Sequence, residues 1–571
     1  MLSCSRNTNR YFDLNFFIKS FCFWICITPL CLLLVCQITA LGLNVAEEDP
    51  WVILEKRGAI ISRIEIQVSD VFNLQYPKEN HVIAHVANFI HVETWEKSIL
   101  PALLFKEKNT VNALLIHATE RLLRDLPYVR DAEIVPVVNP NGMVTAIVRI
   151  HDAWSLKLGL IFKHVGGESE WNIKLEEMNM LGWGKQLHVS HEKTIDRSFN
   201  KIWYSDPFFV NTRWNFLFKY QQLSDGVSRL LKINSPFYDI YTPWSAGFEI
   251  SRSKYNETFF ETGSPVYSFP SHQYSFSVYN HYLVWKKKRT AQRLGMEIRA
   301  TRRYYGPLTI YKSGVLPFFD ISERHFLGIM GYWAFFQDAY HTLQTIIVIN
   351  RVEYFNLGWD VYIRIGYFPQ AFGSVRKMLY TEGSIQKGFD VDENSFLLWN
   401  TQWHGRKEGP HFRNFWYQNS ISFFDQRFRY QTLICSMQGS FSSRPDPEGV
   451  MYIGGINGLR GYMNYFKSGD ARWMLSLEDR VVTPWNLWGL LQVGFVGYFD
   501  IGSARELGSG YWSKIYASVG AGLRFGNLKS SIGRVIHLTI AFPLVREPGV
   551  RIFQIVFGEV DKNNQTYSID P

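Results

Sequence analysis

The stretch Ala517-Ser518-Val519-Gly520-Ala521-Gly522-Leu523-Arg524-Phe525 decides the fold. Its odd positions are apolar and its even positions are small, polar or charged. Strand side chains alternate with a period of two, so the segment reads as a strand with one apolar face. The same period recurs upstream. Across Leu491 to Asp500, Leu491, Val493, Phe495 and Phe499 oppose Gln492, Gly494 and Asp500, and across Met474 to Arg480, Leu475 and Leu477 oppose Ser476, Glu478 and Arg480. A soluble β-sandwich also alternates, but its outer face is polar and its core face is sealed by a second sheet. Here the polar face is glycine-rich with isolated charges, which fits the lumen of a barrel whose other face meets lipid.

Composition agrees. Of 571 residues, 16% are aromatic and only 19% charged, against about 25% charge in soluble domains, and long apolar runs of the kind that make membrane helices do not recur. Short strand-like segments punctuated by Gly, Asp, Asn and Pro run from Ala153 to the end, as in Trp154 to Val165, Trp171 to Met178, Gln186 to His191 and Trp214 to Gln222. Every candidate together makes about twenty segments. The net charge of +9 is scattered. Its densest run, Trp285-Lys286-Lys287-Lys288-Arg289, lies between two strand-like segments and reads as a hairpin end, so no nucleic-acid partner is expected, because such binding needs a basic stripe on one face.

The N-terminal part differs in texture. Arg6, Arg10 and Lys19 precede an uncharged span from Ser20 to Ala46 that holds small residues at Ala40 and Gly42. This is the layout of a signal peptide over residues 1–42, the alternative being a retained membrane anchor. Five of the six cysteines fall in the first 36 residues, leaving Cys435 alone in a mature chain. No internal disulfide and no structural metal site is expected. From 58 to 152 the pattern is that of a small α+β domain. Ile64, Ile66 and Val68 alternate as a strand. Val111, Leu114, Leu115, Ala118, Leu122 and Leu123 share a helical face, with Asn109 or Thr110 as the cap, and a hairpin turns at Asn139-Pro140-Asn141-Gly142.

One loop stands apart: Gly454-Gly455-Ile456-Asn457-Gly458-Leu459-Arg460-Gly461-Tyr462. An arginine that cannot be neutralised sits among glycines. It lies either in water or inside the barrel, where it needs an acidic partner. The Leu459-Arg460-Gly461-Tyr462 segment resembles the Val/Leu-Arg-Gly-Phe/Tyr signature of the BamA/TamA outer-membrane assembly-factor superfamily, the bacterial surface antigen family. Ser476-Leu477-Glu478 with Thr483-Pro484, Phe499-Asp500-Ile501-Gly502 and Val519 to Phe525 follow in that family's order. Trp154-Ser155-Leu156 and Tyr204-Ser205-Asp206-Pro207 resemble its barrel start in members with one polypeptide-transport-associated (POTRA) domain. The order strand, two helices, strand, strand before residue 152 resembles that POTRA domain, the alternative being a generic α/β module.

The resemblance implies a POTRA domain over 58–152 and an outer-membrane barrel of about sixteen antiparallel strands over 153–571. It implies that the loop folds inward so that Gly458, Leu459, Arg460, Gly461 and Tyr462 form a latch with Glu478 and Asp500, the alternative being that both carboxylates simply face lumenal water. It implies a weak seam between strands near Trp154 to Val165 and Val550 to Phe557. Family members usually end on the aromatic of the last strand, whereas here 14 residues follow Phe557. The implied function is insertion or translocation of β-rich polypeptides without nucleotide. The partners would be outer-membrane lipids, unfolded clients taken by the POTRA domain, and accessory periplasmic or outer-membrane proteins. The location would be the bacterial outer membrane with the POTRA domain in the periplasm, an organellar outer membrane being the other option. A surface antigen, adhesin or passive pore on the same scaffold is the alternative. No cofactor is implied, and no enzyme: G-x-S-x-G, H-E-x-x-H and P-loop motifs are missing.

Overall fold

The segment at 517–525 lies within the strand Tyr516–Asn527, paired along its length with Leu491–Glu506 on one side and Val535–Pro543 on the other. Its alternation separates two environments. Ser518 and Arg524 are buried, whereas Val519 is 39% exposed, and on the first barrel strand Leu158 and Leu160 reach 82% and 76%. Apolar side chains out and polar side chains in is the reverse of a soluble protein and suits a wall set in lipid.

The structure is a computed structural model. It describes residues 49–560 apart from 78–79, 81, 141, 166–167, 313–320, 345–351, 429, 489, 508–509 and 529–534. The expected signal peptide and the tail beyond 560 lie outside the described residues. No described helix is long and apolar enough to cross a membrane, which says nothing of a barrel.

Among the described residues, one antiparallel barrel sheet runs in chain order from Leu156–Val165 to Gln554–Val560. It contains twenty strands of seven or more residues, together with two short pieces, Thr309–Ile310 and Met451–Ile453. This corrects the expected sixteen. The strand-like segments of the sequence, Glu168–Glu177 and Gln186–Lys193 among them, are full members of the ladder. The physical reason is that lipid offers no partner to a backbone N–H or C=O, so a wall segment is best satisfied inside the ladder. An even count leaves the first and last strands antiparallel. Among the described residues they pair at Phe557 opposite His164. The basic run at 285–289 is a hairpin end, with Lys287 opposite Thr290.

The N-terminal domain carries a three-stranded sheet. Ile61–Ser69 lies parallel to Val144–Asp152, which pairs antiparallel with Val129–Val138. The helix Ala113–Asp125 buries Ile116 and Leu123 against this sheet. Its cap is Asn112, whose side chain accepts from the Leu115 amide at 3.1 Å, in place of the expected Asn109 or Thr110. The core reaches further back than residue 58, because Trp51 and Leu54 of the helix Pro50–Lys56 belong to it. Trp51 donates from Nε1 to the Ile134 carbonyl at 2.8 Å.

This domain is docked on one rim of the barrel. Asn179, in the 178–185 turn, donates to Thr94 Oγ1 at 2.7 Å, and Thr94 in turn donates to Asp152. The Trp95 amide donates to the Gly182 carbonyl, and Arg213, in the next turn on that rim, donates to the Pro101 and Leu103 carbonyls. Phe208 of the same turn enters the domain's core.

Candidate functional site

The glycine-rich loop leaves the opposite rim between Gln431–Ser443 and Lys467–Leu487 and folds into the interior. Leu459, Tyr462 and Phe466 are fully buried in a cluster with Ile453, Ala504 and Tyr516. The Tyr462 hydroxyl lies 2.9 Å from both the Ala517 and the Val545 carbonyls, so it pins the loop to the wall whichever it donates to. Gly461 has a φ of 91°, which a residue with a Cβ rarely adopts. That turn aims the preceding side chain, Arg460, at the inner wall.

There the structure brings Arg460 together with Glu478 and Asp500. Its Nε and Nη2 donate to the two oxygens of Asp500, each at 2.7 Å, and Nη1 donates to Glu478 Oε1 at 2.7 Å. Nη2 also reaches Ser476 Oγ at 3.1 Å, and the guanidinium lies over the Tyr498 ring, 3.5 Å from its centre. The fork of arginine matches a carboxylate in two parallel bonds, which fixes orientation as well as distance. Burial alone would ease the proton off Arg460, but the two carboxylates outweigh it and hold the proton more tightly than usual.

Tyr498 was not named from the sequence, and Ser476 and Arg480 were placed on the polar face without a role at the site. Arg480 grips the other oxygen of Glu478, with Nε donating to Oε2 at 2.8 Å. Beyond it, Arg524 donates from Nε to His537 Nε2 at 3.1 Å. The signal for Tyr498 is its place two residues before Asp500, on the same face. Gly520 lies opposite it in register, and a Cβ at Gly520 would come within 2.3 Å of the Tyr498 ring. The missing side chain is therefore the space in which that ring lies beneath the guanidinium.

Directly opposed residues of an antiparallel pair point to one face. Glu478 is opposite Tyr498 and also opposite Ile434, which is opposite Phe424, which is opposite Phe396. One inner row thus runs from the arginine's anchor into an apolar patch. The patch is covered by a second inward element. Between Arg324–Gln337 and Asp360–Phe368 the chain forms a separate two-stranded hairpin, Tyr340–Gln344 with Val352–Asn356, rooted on the rim that carries the N-terminal domain. Phe355 meets Phe396 with ring centres 4.7 Å apart and planes tilted by 43°, and Leu343 and Leu357 pack into the same cluster.

No family profile and no curated protein matches the chain. Among solved structures, CdiB from Acinetobacter baumannii is similar at 11% identity and a TM-score of 0.45, covering 88% of this chain and 73% of that one. CdiB from Escherichia coli is similar at 13% and 0.43, covering 88% and 77%. BamA from Haemophilus ducreyi lacking POTRA domains 1–3 is similar at 12% and 0.38, covering 88% and 84%. Scores of this size add no weight to the strands and charges themselves, which define a membrane-type antiparallel barrel with an interior-anchored loop.

Proposed function

We propose that the chain is an outer-membrane barrel of the BamA/TamA superfamily that inserts or translocates β-rich polypeptides, with its N-terminal domain acting as a single POTRA module in the periplasm. The observation that carries this reading is Arg460, delivered by a loop from the far rim and held by Glu478 and Asp500. An arginine buried with two carboxylates is expensive to desolvate and adds little net stability, so its value lies in fixing where the loop sits. The seam between the first and last strands, paired at one position among the described residues, supports the same reading, since a strand edge can template another strand. The N-terminal sheet has Ile61–Ser69 and Val129–Val138 at its edges, the positions at which an added strand pairs. A passive pore or adhesin has no use for such a latch.

The test is genetic rescue. In cells depleted of the native protein, Arg460→Ala inserts as a folded barrel and fails to restore client assembly or secretion. Full restoration by Arg460→Ala contradicts the proposal.

A further inference from the structure

We propose that the helix Val82–Ile90 of the N-terminal domain is an interfacial membrane element, lying at the barrel's rim with its apolar face in the headgroup boundary of the adjoining leaflet. The proposal rests on reading the barrel as set in a membrane, and adds what holds the N-terminal domain against it.

The helix is inside out. Val82, Val86, Phe89 and Ile90 recur at helical spacing and share one face. That face points away from the protein: Phe89 is 90% exposed and Val82 78%, and Val86 and Ile90 are exposed with them. The side turned to the protein carries small residues, Ala84 and Ala87, buried with Val71 and Phe72. A helix on a soluble domain buries its large apolar side chains and leaves polar ones outside. The reversal is the one seen in the barrel wall, where apolar side chains meet lipid.

The roll of the helix is fixed, so the apolar face is held outward. Asn88 grips the Phe72 backbone twice: its Nδ2 donates to the Phe72 carbonyl at 2.8 Å, and its Oδ1 accepts from the Phe72 amide at 3.1 Å. Just past the helix, His91 Nε2 lies 2.9 Å from Asp152 Oδ2, and Thr94 Oγ1 donates to Asp152 Oδ1 at 2.7 Å.

Its place on the rim names lipid as the occupant. The inward cluster extends to Trp154, which leads into the first barrel strand, and to Leu490, in the turn between Lys467–Leu487 and Leu491–Glu506. Beside that turn the exposed Trp485 meets Phe495 edge-on, ring centres 6.0 Å apart, and Phe495 lies opposite Leu523 on the outward row. On the other side, the chain that leaves the helix reaches Trp95, which meets Trp183 of the 178–185 turn edge-on at 6.1 Å. Trp95, Trp183 and Leu181 are all exposed. Rim aromatics of a membrane barrel mark the depth at which acyl chains give way to headgroups. The helix therefore lies between two aromatic pairs of one girdle, and a large apolar face at that depth is covered by lipid.

Photo-crosslinking of the full-length protein in liposomes of phosphatidylethanolamine and phosphatidylglycerol tests this. A benzoylphenylalanine is placed at Phe89, at Leu158 of the barrel wall, or at Val138, exposed at the far end of the strand Val129–Val138. Lipid adducts are expected at Phe89 as at Leu158, and several-fold fewer at Val138. Adducts at Leu158 without adducts at Phe89, or adducts at Phe89 no more frequent than at Val138, overturn the proposal and leave the membrane barrel standing. Crosslinks from Phe89 to residues 1–48 or to a second copy in place of lipid overturn it as well, because protein is then the cover. No lipid adduct at either Phe89 or Leu158 overturns the proposal together with the membrane reading. Full rescue by Arg460→Ala contradicts the transport function without changing the adducts at Phe89, so the two fail separately.

Discussion

Arg460 makes four hydrogen bonds to two carboxylates and a hydroxyl while its flat face rests on Tyr498. Removing one partner leaves the others charged and dry, at a cost of about 3–5 kcal/mol. Arg460→Ala and Asp500→Ala are each expected to lower the unfolding midpoint of the barrel in detergent. The double variant should lose clearly less than the sum, because neither charge is then stranded. Additive losses would mean that the two do not interact. Gly520→Val is expected to mimic Arg460→Ala without touching a charge, since its side chain would displace the Tyr498 ring. Normal rescue by Gly520→Val would show that the ring is not needed. The trio of Arg460, Glu478 and Asp500 was legible because alternation alone assigns a face, and an inward arginine needs inward acids. Tyr498 was equally legible by its offset from Asp500. The apolar inner row through Phe396, Phe424 and Ile434 was not, because alternation predicts a polar lumen and contains no sign of which inner positions another segment will cover.

At the scale of elements, the helix Pro50–Lys56 is tied down through His117. The imidazole meets Glu120 through Nδ1 at 3.2 Å and Asp49 through Nε2 at 2.6 Å, and Asp49 also caps that helix by accepting from the Trp51 amide. Both nitrogens donate at once only in the protonated ring. The Glu120 hydrogen bond raises the His117 pKa, burial opposes it, and Asp49 adds to the rise. A raised folded-state pKa stabilises below the ordinary histidine value of about 6.5, and that contribution is lost as pH climbs through the folded value. Amide exchange in residues 50–56 is therefore expected to be slower at about pH 6 than at about pH 8, beyond the intrinsic change, with the difference gone in His117→Gln. The same difference in His117→Gln would assign it elsewhere. The small domain's strand order was readable from its sequence; its cap was not, since Asn109, Thr110 and Asn112 are all capping residues. The strand number was misjudged for a different reason: the pattern marked about twenty segments, whereas sixteen was what the resemblance implied, and lipid leaves a wall segment no backbone partner outside the ladder.

For the whole molecule, the account joins two inward elements and one weak edge. The loop from the far rim and the hairpin from the near rim meet on the same inner row, at Glu478 and at Ile434, Phe424 and Phe396. The seam pairs at Phe557 and His164 among the described residues. If that seam must open for clients to pass, a covalent bridge across it stops the protein without altering the inward loop. Phe557 and His164 are directly opposed, close enough for a disulfide, and Cys435 is the cysteine present among the described residues. The decisive measurement is rescue by Phe557→Cys with His164→Cys in a Cys435→Ser background, under oxidising and reducing conditions. Loss of client assembly when the bridge forms and its return on reduction is the expected result. Assembly at the parent's rate with the bridge formed would contradict the account.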